Sequence, residues 1–217
     1  MVSNHRTYAP ATALGSNFDF GIETALVKLS PEASQGLESI GADGLTSAGI
    51  PMPMVRFLIR KGFGDRLDFS VTGLTTKFLN RFFTDLPFSF TSVGAGIKGT
   101  LFAPEEGPHI SIEMNYNWLS VSYVDIHSLM PAIRISRKLG IVDPYLGVAA
   151  AYYLGKLTYT IDLPSPLLDQ TIQERANAWS ANTFIGLSLQ VGFSFAFEMG
   201  YDFKKSPWLA TRFGFAF

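Results

Sequence analysis

Residues 209–217, LATRFGFAF, decide how the rest of this chain is interpreted. The stretch alternates between two sets of residues: Thr211, Phe213, Phe215 and Phe217 against Arg212, Gly214 and Ala216. In an extended strand, successive side chains point to opposite faces, so one face is aromatic and the other is small or basic. The stretch therefore predicts a β-strand whose two faces meet different surroundings.

A terminal aromatic residue that closes such a strand resembles the assembly signal of bacterial outer-membrane β-barrel proteins. The residues that carry the resemblance are Phe213, Phe215 and Phe217. It implies an all-β fold, an antiparallel up-and-down transmembrane β-barrel in the bacterial outer membrane, and recognition by the barrel-assembly machinery during biogenesis. It points to no particular subfamily and to no substrate.

The composition agrees with a membrane barrel. The 217 residues suffice for one sizeable domain, and 47% of them are hydrophobic while only 16% are charged. Soluble domains carry roughly 25% charged residues. No run of 18 apolar residues occurs, which excludes a helical membrane span by length. The apolar residues are instead dispersed in alternation, as in a barrel whose outer face meets lipid.

Several classes of function are excluded by the residues present. The net charge is −1 and the basic residues are scattered, so nucleic acid is not an expected partner. There is no cysteine, and the three histidines lie far apart, so neither a thiolate nor a three-ligand zinc site is expected. The match Gly94-x-Gly96-x-x-Gly99 lies within strand alternation and precedes no helix, which favours barrel-wall glycine over a phosphate loop. We expect no metal and no cofactor.

Hydrophobic alternation predicts ten strands, at about 16–29, 51–61, 67–72, 88–102, 110–118, 133–136, 145–161, 179–190, 194–199 and 209–217. The parity slips near Gly155, which predicts a β-bulge. Connections at 30–50, 77–87 and 162–178 are long, and a further connection is expected at 125–128. The connections after strands two, four, six and eight are short.

This asymmetry predicts external long loops and periplasmic short turns, with both termini in the periplasm. Residues 1–15 are then a periplasmic tail that is either mobile or tucked into the barrel of 16–217. Residues 1–17 lack the apolar core and cleavage site of a signal peptide, so we expect that a leader was removed and Met1 added for expression. A soluble sandwich or lipocalin-like barrel is the alternative, with the aromatic face in a core.

The parity opposite to the apolar face carries ten charged residues that are predicted to line the lumen: Asp19, Glu23, Arg56, Arg60, Asp68, Lys98, Glu113, Arg134, Glu198 and Arg212. Their sign alternates between neighbouring strands, so they form either a network that plugs a small barrel or the walls of a narrow polar path. Strands seven and eight place mainly small residues inward. The volume left there is expected to hold the tail or a loop.

A basic and aromatic cluster interrupts the alternation after strand three: Lys77, Phe78, Arg81, Phe82 and Phe83. It predicts a loop that rests on the membrane interface. Its alternatives are a contact with lipid phosphates and an entrance for an amphiphile. The expected partners are therefore outer-membrane lipid or lipopolysaccharide, and the sequence leaves the oligomeric state open.

Asp125-Ile126-His127 resembles the Asp-x-His half of the catalytic site of omptin proteases, which are also ten-stranded barrels. The resemblance implies water activation together with a second acidic pair, but no Asp-x-Asp occurs in this chain. An omptin-like surface protease is thus a remote alternative, and no enzymatic activity is expected. The leading hypothesis is passive transport of a small or amphiphilic solute through a narrow charge-lined lumen. The alternative is a plugged structural or surface-interaction barrel without transport.

Overall fold

The computed structural model of this protein describes residues 10–27, 52–75, 90–121, 124–161, 170–203 and 206–217. These residues form ten β-strands: β1 (Phe18–Val27), β2 (Met52–Phe63), β3 (Leu67–Thr75), β4 (Phe90–Phe102), β5 (His109–Val121), β6 (Val124–Ser136), β7 (Val142–Ile161), β8 (Gln170–Val191), β9 (Phe193–Asp202) and β10 (Ser206–Ala216). Among them, no helix is long and apolar enough to cross a membrane.

Every strand pairs antiparallel with its neighbours in the sequence, and β1 also pairs with β10. The sheet is therefore a closed barrel, which leaves no free edge along the paired length of its strands. The predicted fold class, an antiparallel up-and-down barrel of about ten strands, is confirmed. The seam between β1 and β10 runs in continuous register from Asp19 opposite Ala216 to Val27 opposite Trp208.

The two faces of the barrel wall differ in chemistry as the alternation predicts. Large apolar side chains are exposed on the outer face all around the barrel, as Phe20, Ile59, Ile133 and Phe213 illustrate. Charged and hydroxyl side chains are buried inside. A protein that places hydrocarbon outward and charge inward has its outer face suited to lipid.

At one end of the barrel every connection is short, and we call this the short-turn end: residues 64–66, 103–108, 139–141 and 192. Gly64, Gly140 and Gly192 adopt positive φ there, which glycine tolerates without steric cost. The short connection predicted after strand eight is present, at Gly192 between β8 and β9. The first strand begins at this end, where Phe18 lies opposite Lys61 of β2. The last strand stops there too, since Phe18 N donates to Phe217 O at 2.8 Å. The location of this end in the periplasm stays a prediction.

The predicted loop at 162–178 is wrong over its second half. Strand β8 begins at Gln170, opposite Ile161, and continues through 178 without interruption. Residues 173–177 are polar or small and exposed, and they do not alternate as membrane strands do. The β7–β8 hairpin extends past the other strands, so its upper part requires no apolar face. Residues 162–169, and the predicted loops at 30–50 and 77–87, lie outside the described residues.

Two smaller predictions are also wrong. The pairing of β7 with β6 and β8 keeps one register through Gly155, so no bulge occurs there. The apparent slip in parity instead marks the level at which β7 rises beyond the apolar band and outward positions become polar. Residues 125–128 belong to β6 and not to a connection, because β5 ends at Val121 and β6 begins at Val124.

Candidate functional site

All ten charged residues that the strand alternation assigns to the lumen lie together inside the barrel. Each lies on a strand and each is at most 5% exposed: Asp19, Glu23, Arg56, Arg60, Asp68, Lys98, Glu113, Arg134, Glu198 and Arg212. Five are acidic and five are basic, so the formal charges cancel. Buried charges are tolerated only when they are paired or hydrogen-bonded, and the contacts below supply this for nine of the ten, while Glu198 interacts electrostatically with Arg134.

Asp19 is the centre of the network at the barrel seam. Its Oδ2 accepts a 2.8 Å hydrogen bond from Arg60 on β2 and a second one from Arg212 on β10. Ser194 on β9 extends the group, since its hydroxyl lies 3.2 Å from Arg212 Nη2 and 3.5 Å from Asp19 Oδ1. Four neighbouring strands, β2, β1, β10 and β9, are thus tied together around one carboxylate.

A second pair lies further along the same two strands. Glu23 and Arg56 are directly opposite each other in the β1–β2 register, and Arg56 Nε donates to Glu23 Oε2 at 2.5 Å. Charge-assisted contacts of this kind are short and strong, particularly where water is excluded. The pair fixes the register of β1 against β2 on the inner face of the barrel.

The far wall repeats this arrangement on β3 to β6. Lys98 lies opposite both Asp68 and Glu113 in the register, and its ammonium forms an ion pair with Asp68 at 2.8 Å. Glu113 pairs instead with Arg134, at 2.6 Å, and accepts a 2.7 Å hydrogen bond from the amide of Asn115. Acids and bases therefore alternate from strand to strand.

The two walls also act on each other electrostatically. Arg60 on β2 interacts with Asp68 on the neighbouring strand β3 and with Glu113 on β5, and Arg134 on β6 interacts with Glu198 and Glu23. In a narrow interior that excludes water, such interactions are weakly screened. The charged residues hence behave as one coupled network and not as isolated pairs.

The segment before β1 occupies the short-turn end of the lumen. Three oxygen atoms lie within 3.1 Å of Lys98 Nζ: the carboxylate of Asp68 at 2.8 Å and the carbonyls of Pro10 and Thr12 at 3.1 and 2.7 Å. An ammonium group has three hydrogens to donate, so these oxygens match its capacity. Thr100, next along the inner face of β4, donates to the carbonyl of Ala11 at 3.1 Å.

Other strands hold the same segment as well. Ala11 N donates to Ser136 Oγ at 3.1 Å, and Leu14 N donates to Asp68 Oδ1 at 2.9 Å. The hydroxyl of Thr12 donates to Asp143 at 2.5 Å. We call residues 10–14 the plug segment. Of the tail predicted at 1–15, the structure describes only 10–15, and in that part the plug segment lies inside the barrel.

Aromatic rings fill the interior along the small-residue strands. Tyr145 lies over Gly186, Phe184 over Gly147 and Trp208 over Gly200, at distances where an added Cβ at the glycine would fall within 2.4 Å of a ring atom. With Met130, Tyr153 and several alanines, these rings form one buried apolar cluster. The volume expected along strands seven and eight is filled by the barrel's own aromatic side chains.

Two further acids are buried, Asp143 and Asp202, which the sequence does not place among the predicted lumen residues. Asp143 accepts the hydrogen bond from Thr12, and Asp202 accepts one from Ser180 at 2.5 Å. Both lie just outside the predicted strands at 145–161 and 194–199. The signal that identifies them is parity, because Asp143 falls in step with Tyr145 and Asp202 with Glu198.

Asp125 and His127 lie on the outer face of β6, where aromatic neighbours engage both side chains. Tyr116 and His127 form a 2.7 Å hydrogen bond, and Trp118 Nε1 donates to Asp125 at 3.3 Å. This arrangement is typical of an interfacial aromatic girdle. Among the described residues, no group of three or more acidic or histidine side chains is placed to hold a metal ion.

The remaining predicted residues divide between the outer face and the undescribed part of the chain. Phe213, Phe215 and Phe217 are exposed on the outer side of β10, and their role as an assembly signal stays a prediction. The predicted interface loop with Lys77, Phe78, Arg81, Phe82 and Phe83 lies outside the described residues.

Comparison with known proteins finds similarity at the level of architecture. No family model matches the chain, and no curated protein matches it either. Among solved structures, it is similar to the N-terminal β-barrel domain of OprF from Pseudomonas aeruginosa (12% identity, 94% of this chain and 98% of that one, TM-score 0.35). It is also similar to the KdgM porin (12%, 93% and 99%, 0.39) and to the outer membrane protease OmpT from Escherichia coli (9%, 99% and 98%, 0.40). The structures that this ten-stranded barrel matches are thus outer-membrane β-barrel proteins.

Proposed function

We propose that this protein is an outer-membrane barrel with a plugged lumen, which anchors the β7–β8 hairpin as a surface for interaction. The observation that carries the proposal is the environment of Lys98, whose ammonium is shared between Asp68 on the wall and the Pro10 and Thr12 carbonyls of the plug segment. A cation held by both wall and plug keeps the plug in place. The proposal includes no enzymatic activity.

The rest of the interior supports a closed lumen. The charged network occupies the short-turn half, and the aromatic cluster with Tyr145, Phe184 and Trp208 fills the wall of small residues. Passage of solute along the axis requires a continuous hydrated path, and these side chains are almost completely inaccessible to water. An interior in which acids and bases satisfy one another favours mechanical stability over conduction.

The β7–β8 hairpin supports the interaction role. These two strands have 20 and 22 residues, whereas the other strands have 9 to 13. Among the described residues, β9 pairs with β8 only from Asn182 onward, so residues 170–181 extend beyond β9. On the other side, β6 pairs with β7 as far as Leu157, so the hairpin passes β6 by four residues, roughly 13 Å. Exposed Glu174 and Arg175 lie on this extension. With the short turns in the periplasm, the hairpin projects into the external medium beside lipopolysaccharide.

Passive transport of a small or amphiphilic solute is the second candidate. It is favoured by the polarity of the wall, where Ser70, Thr72, Asn115 and Asn117 accompany the charged residues. Apolar side chains would fill the lumen at a lower desolvation cost than polar ones. A polar interior therefore suits a lumen that is hydrated in another conformation of the protein. In such a state the plug segment has left the lumen.

Conductance in planar bilayers tests the proposal. The full chain is expected to give no single-channel steps, and liposomes that contain it are expected to take up no small sugar or amino acid. A chain without residues 1–14 serves as the comparison, because it lacks the plug segment while keeping every strand. Regular channel steps from the full chain would reject the plugged barrel in favour of transport.

A further inference from the structure

A notch interrupts the outer wall of the barrel between β2 and β3. It has a volume of about 470 Å³ and lies toward the end opposite the short turns. Phe57, Gly73, Thr75 and Val93 define its sides, and Phe20 on β1 contributes to its edge. We call it the β2–β3 notch. It opens onto the apolar outer face, where Phe20 and Val93 are both exposed.

The register of the strands explains the notch. Described pairing between β2 and β3 stops at Phe57 opposite Gly73, although β2 begins at Met52 and β3 continues to Thr75. On its other side, β3 stays paired with β4 as far as Thr75 opposite Thr91. The end of β3 thus follows β4 and departs from β2. Gly73 adds to the gap, since a Cβ there would meet only Ser92 O, at 3.7 Å.

The lining of the notch selects an apolar occupant. The rings of Phe20 and Phe57 and the side chain of Val93 supply hydrocarbon surface. The hydroxyls of Thr75 and Thr91 lie 3.2 Å apart and hydrogen-bond to each other. A polar ligand would therefore lose hydration without replacement, whereas a hydrocarbon chain would gain dispersion contacts that an empty notch forfeits.

The location of the notch identifies where this occupant comes from. The notch opens onto the same face as the lipid-facing side chains, so the molecules that reach it are those of the surrounding membrane. We propose that the β2–β3 notch binds one acyl chain of a membrane lipid, seated against the backbone at Gly73 between Phe57 and Val93. The site does not depend on whether the lumen conducts.

Native mass spectrometry of the full chain, released from detergent after titration with dipalmitoyl phosphatidylethanolamine, tests this site. The unaltered chain is expected to show one saturable lipid adduct, and Gly73→Leu is expected to weaken it about tenfold because the new side chain fills the notch. Gly99→Leu is the matched control. Gly99 is also an outward glycine, and its Cβ would meet only Ile112, at 3.9 Å.

Heat-modifiable gel migration verifies that each variant folds, and Gly73→Ala replaces Gly73→Leu if the larger residue prevents folding. Dipalmitoyl phosphatidylcholine and phosphatidylglycerol are compared in parallel, and an acyl-chain site predicts affinities equal within about threefold. Equal adduct affinity in the unaltered chain and the folded Gly73 variant would overturn the proposal. An adduct that depends on the headgroup, or equal weakening by Gly99→Leu, would overturn it as well.

Discussion

Arg212 on the last strand forms its ion pair with Asp19 on the first strand, although the residue directly opposite it across the seam is Glu23. Glu23 is engaged by Arg56 on the other side of β1. Asp19 is thereby shared between Arg212 and Arg60, and it links both neighbours of β1. The closure of the barrel is thus stabilised on its inner face by Asp19 with its two arginines, which we call the clasp, in addition to the backbone hydrogen bonds between β1 and β10.

Asp19→Asn is expected to weaken this closure. The substitution leaves the guanidinium groups of Arg60 and Arg212 buried beside a neutral amide, and the loss of one partner from a buried ion pair costs about 3–5 kcal/mol. Urea unfolding in detergent micelles, followed by tryptophan fluorescence, measures the loss of unfolding free energy. Thr24→Val is the control, because Thr24 bonds to Thr211 on the outer face of the same seam. Equal stability of Asp19→Asn and the unaltered chain would contradict the clasp.

Arg134→Glu is expected to lower barrel stability more than any substitution of an exposed arginine. It replaces the base that pairs with Glu113 by an acid, which both Glu113 and Glu198 would repel. Unfolding in urea is expected to move to lower denaturant concentration by an amount equivalent to about 3 kcal/mol or more. Arg137→Glu, at an exposed position just after β6, is the matched charge reversal. Unchanged unfolding together with altered conductance would instead favour a pore lined by these residues.

Removal of residues 1–14 is expected to open the short-turn end to water. The chain has no cysteine, so Thr100→Cys provides a unique thiol beneath the plug segment. Its reaction with a charged maleimide is expected to be at least about tenfold faster in the shortened chain, because thiol reactivity follows access to solvent. Ala149→Cys, within the aromatic cluster, is expected to react slowly in both chains. Equal labelling of Thr100→Cys with and without the segment would show that it is not a plug.

Gly186→Ala is expected to destabilise the barrel by about 1–3 kcal/mol through overpacking. The new methyl group would lie 2.3 Å from the ring of Tyr145, which the wall of β7 holds in place. Gly155→Ala is the control within the same strand pair, where a Cβ would meet only Ala176 O, at 3.8 Å. A double substitution with Tyr145→Ala is expected to show coupling in a double-mutant cycle. Additive effects of Gly186→Ala and Tyr145→Ala would contradict the direct contact.

Parity accounts for much of what could be predicted from the sequence. A period of two assigns every residue of a strand to one face, which is why Glu113 and Arg134 were selected together from different strands. Pairing partners could not be predicted, because they depend on the stagger between strands and on side-chain reach. Arg212 illustrates this, since its contact lies four positions along β1 from the residue opposite. Asp143 and Asp202 were missed because they lie just outside the predicted strands, where parity was not applied.

The glycines of the inner wall carry information that the sequence did not reveal by itself. Gly186 and Gly147 marked free volume, but only the register shows that Tyr145 and Phe184 come from the neighbouring strand to occupy it. Likewise, residues 170–178 contain no membrane-type alternation. Their extension of β8 is determined by pairing with β7, and hydrophobic periodicity does not detect a strand whose exposed side chains are polar or small.

The placement of Lys98 has a consequence for the order in which the molecule is assembled. Its ammonium joins β4 to a segment that precedes β1, while the barrel is closed by β10 at the other end of the sequence. The plug segment that fills the barrel is therefore synthesised before any strand, and β10, which closes the barrel, is synthesised last. All three oxygen neighbours of Lys98 belong to residues that precede it in the chain, in the plug segment and in β3. Every part of this contact is therefore synthesised before β10, the strand that encloses it.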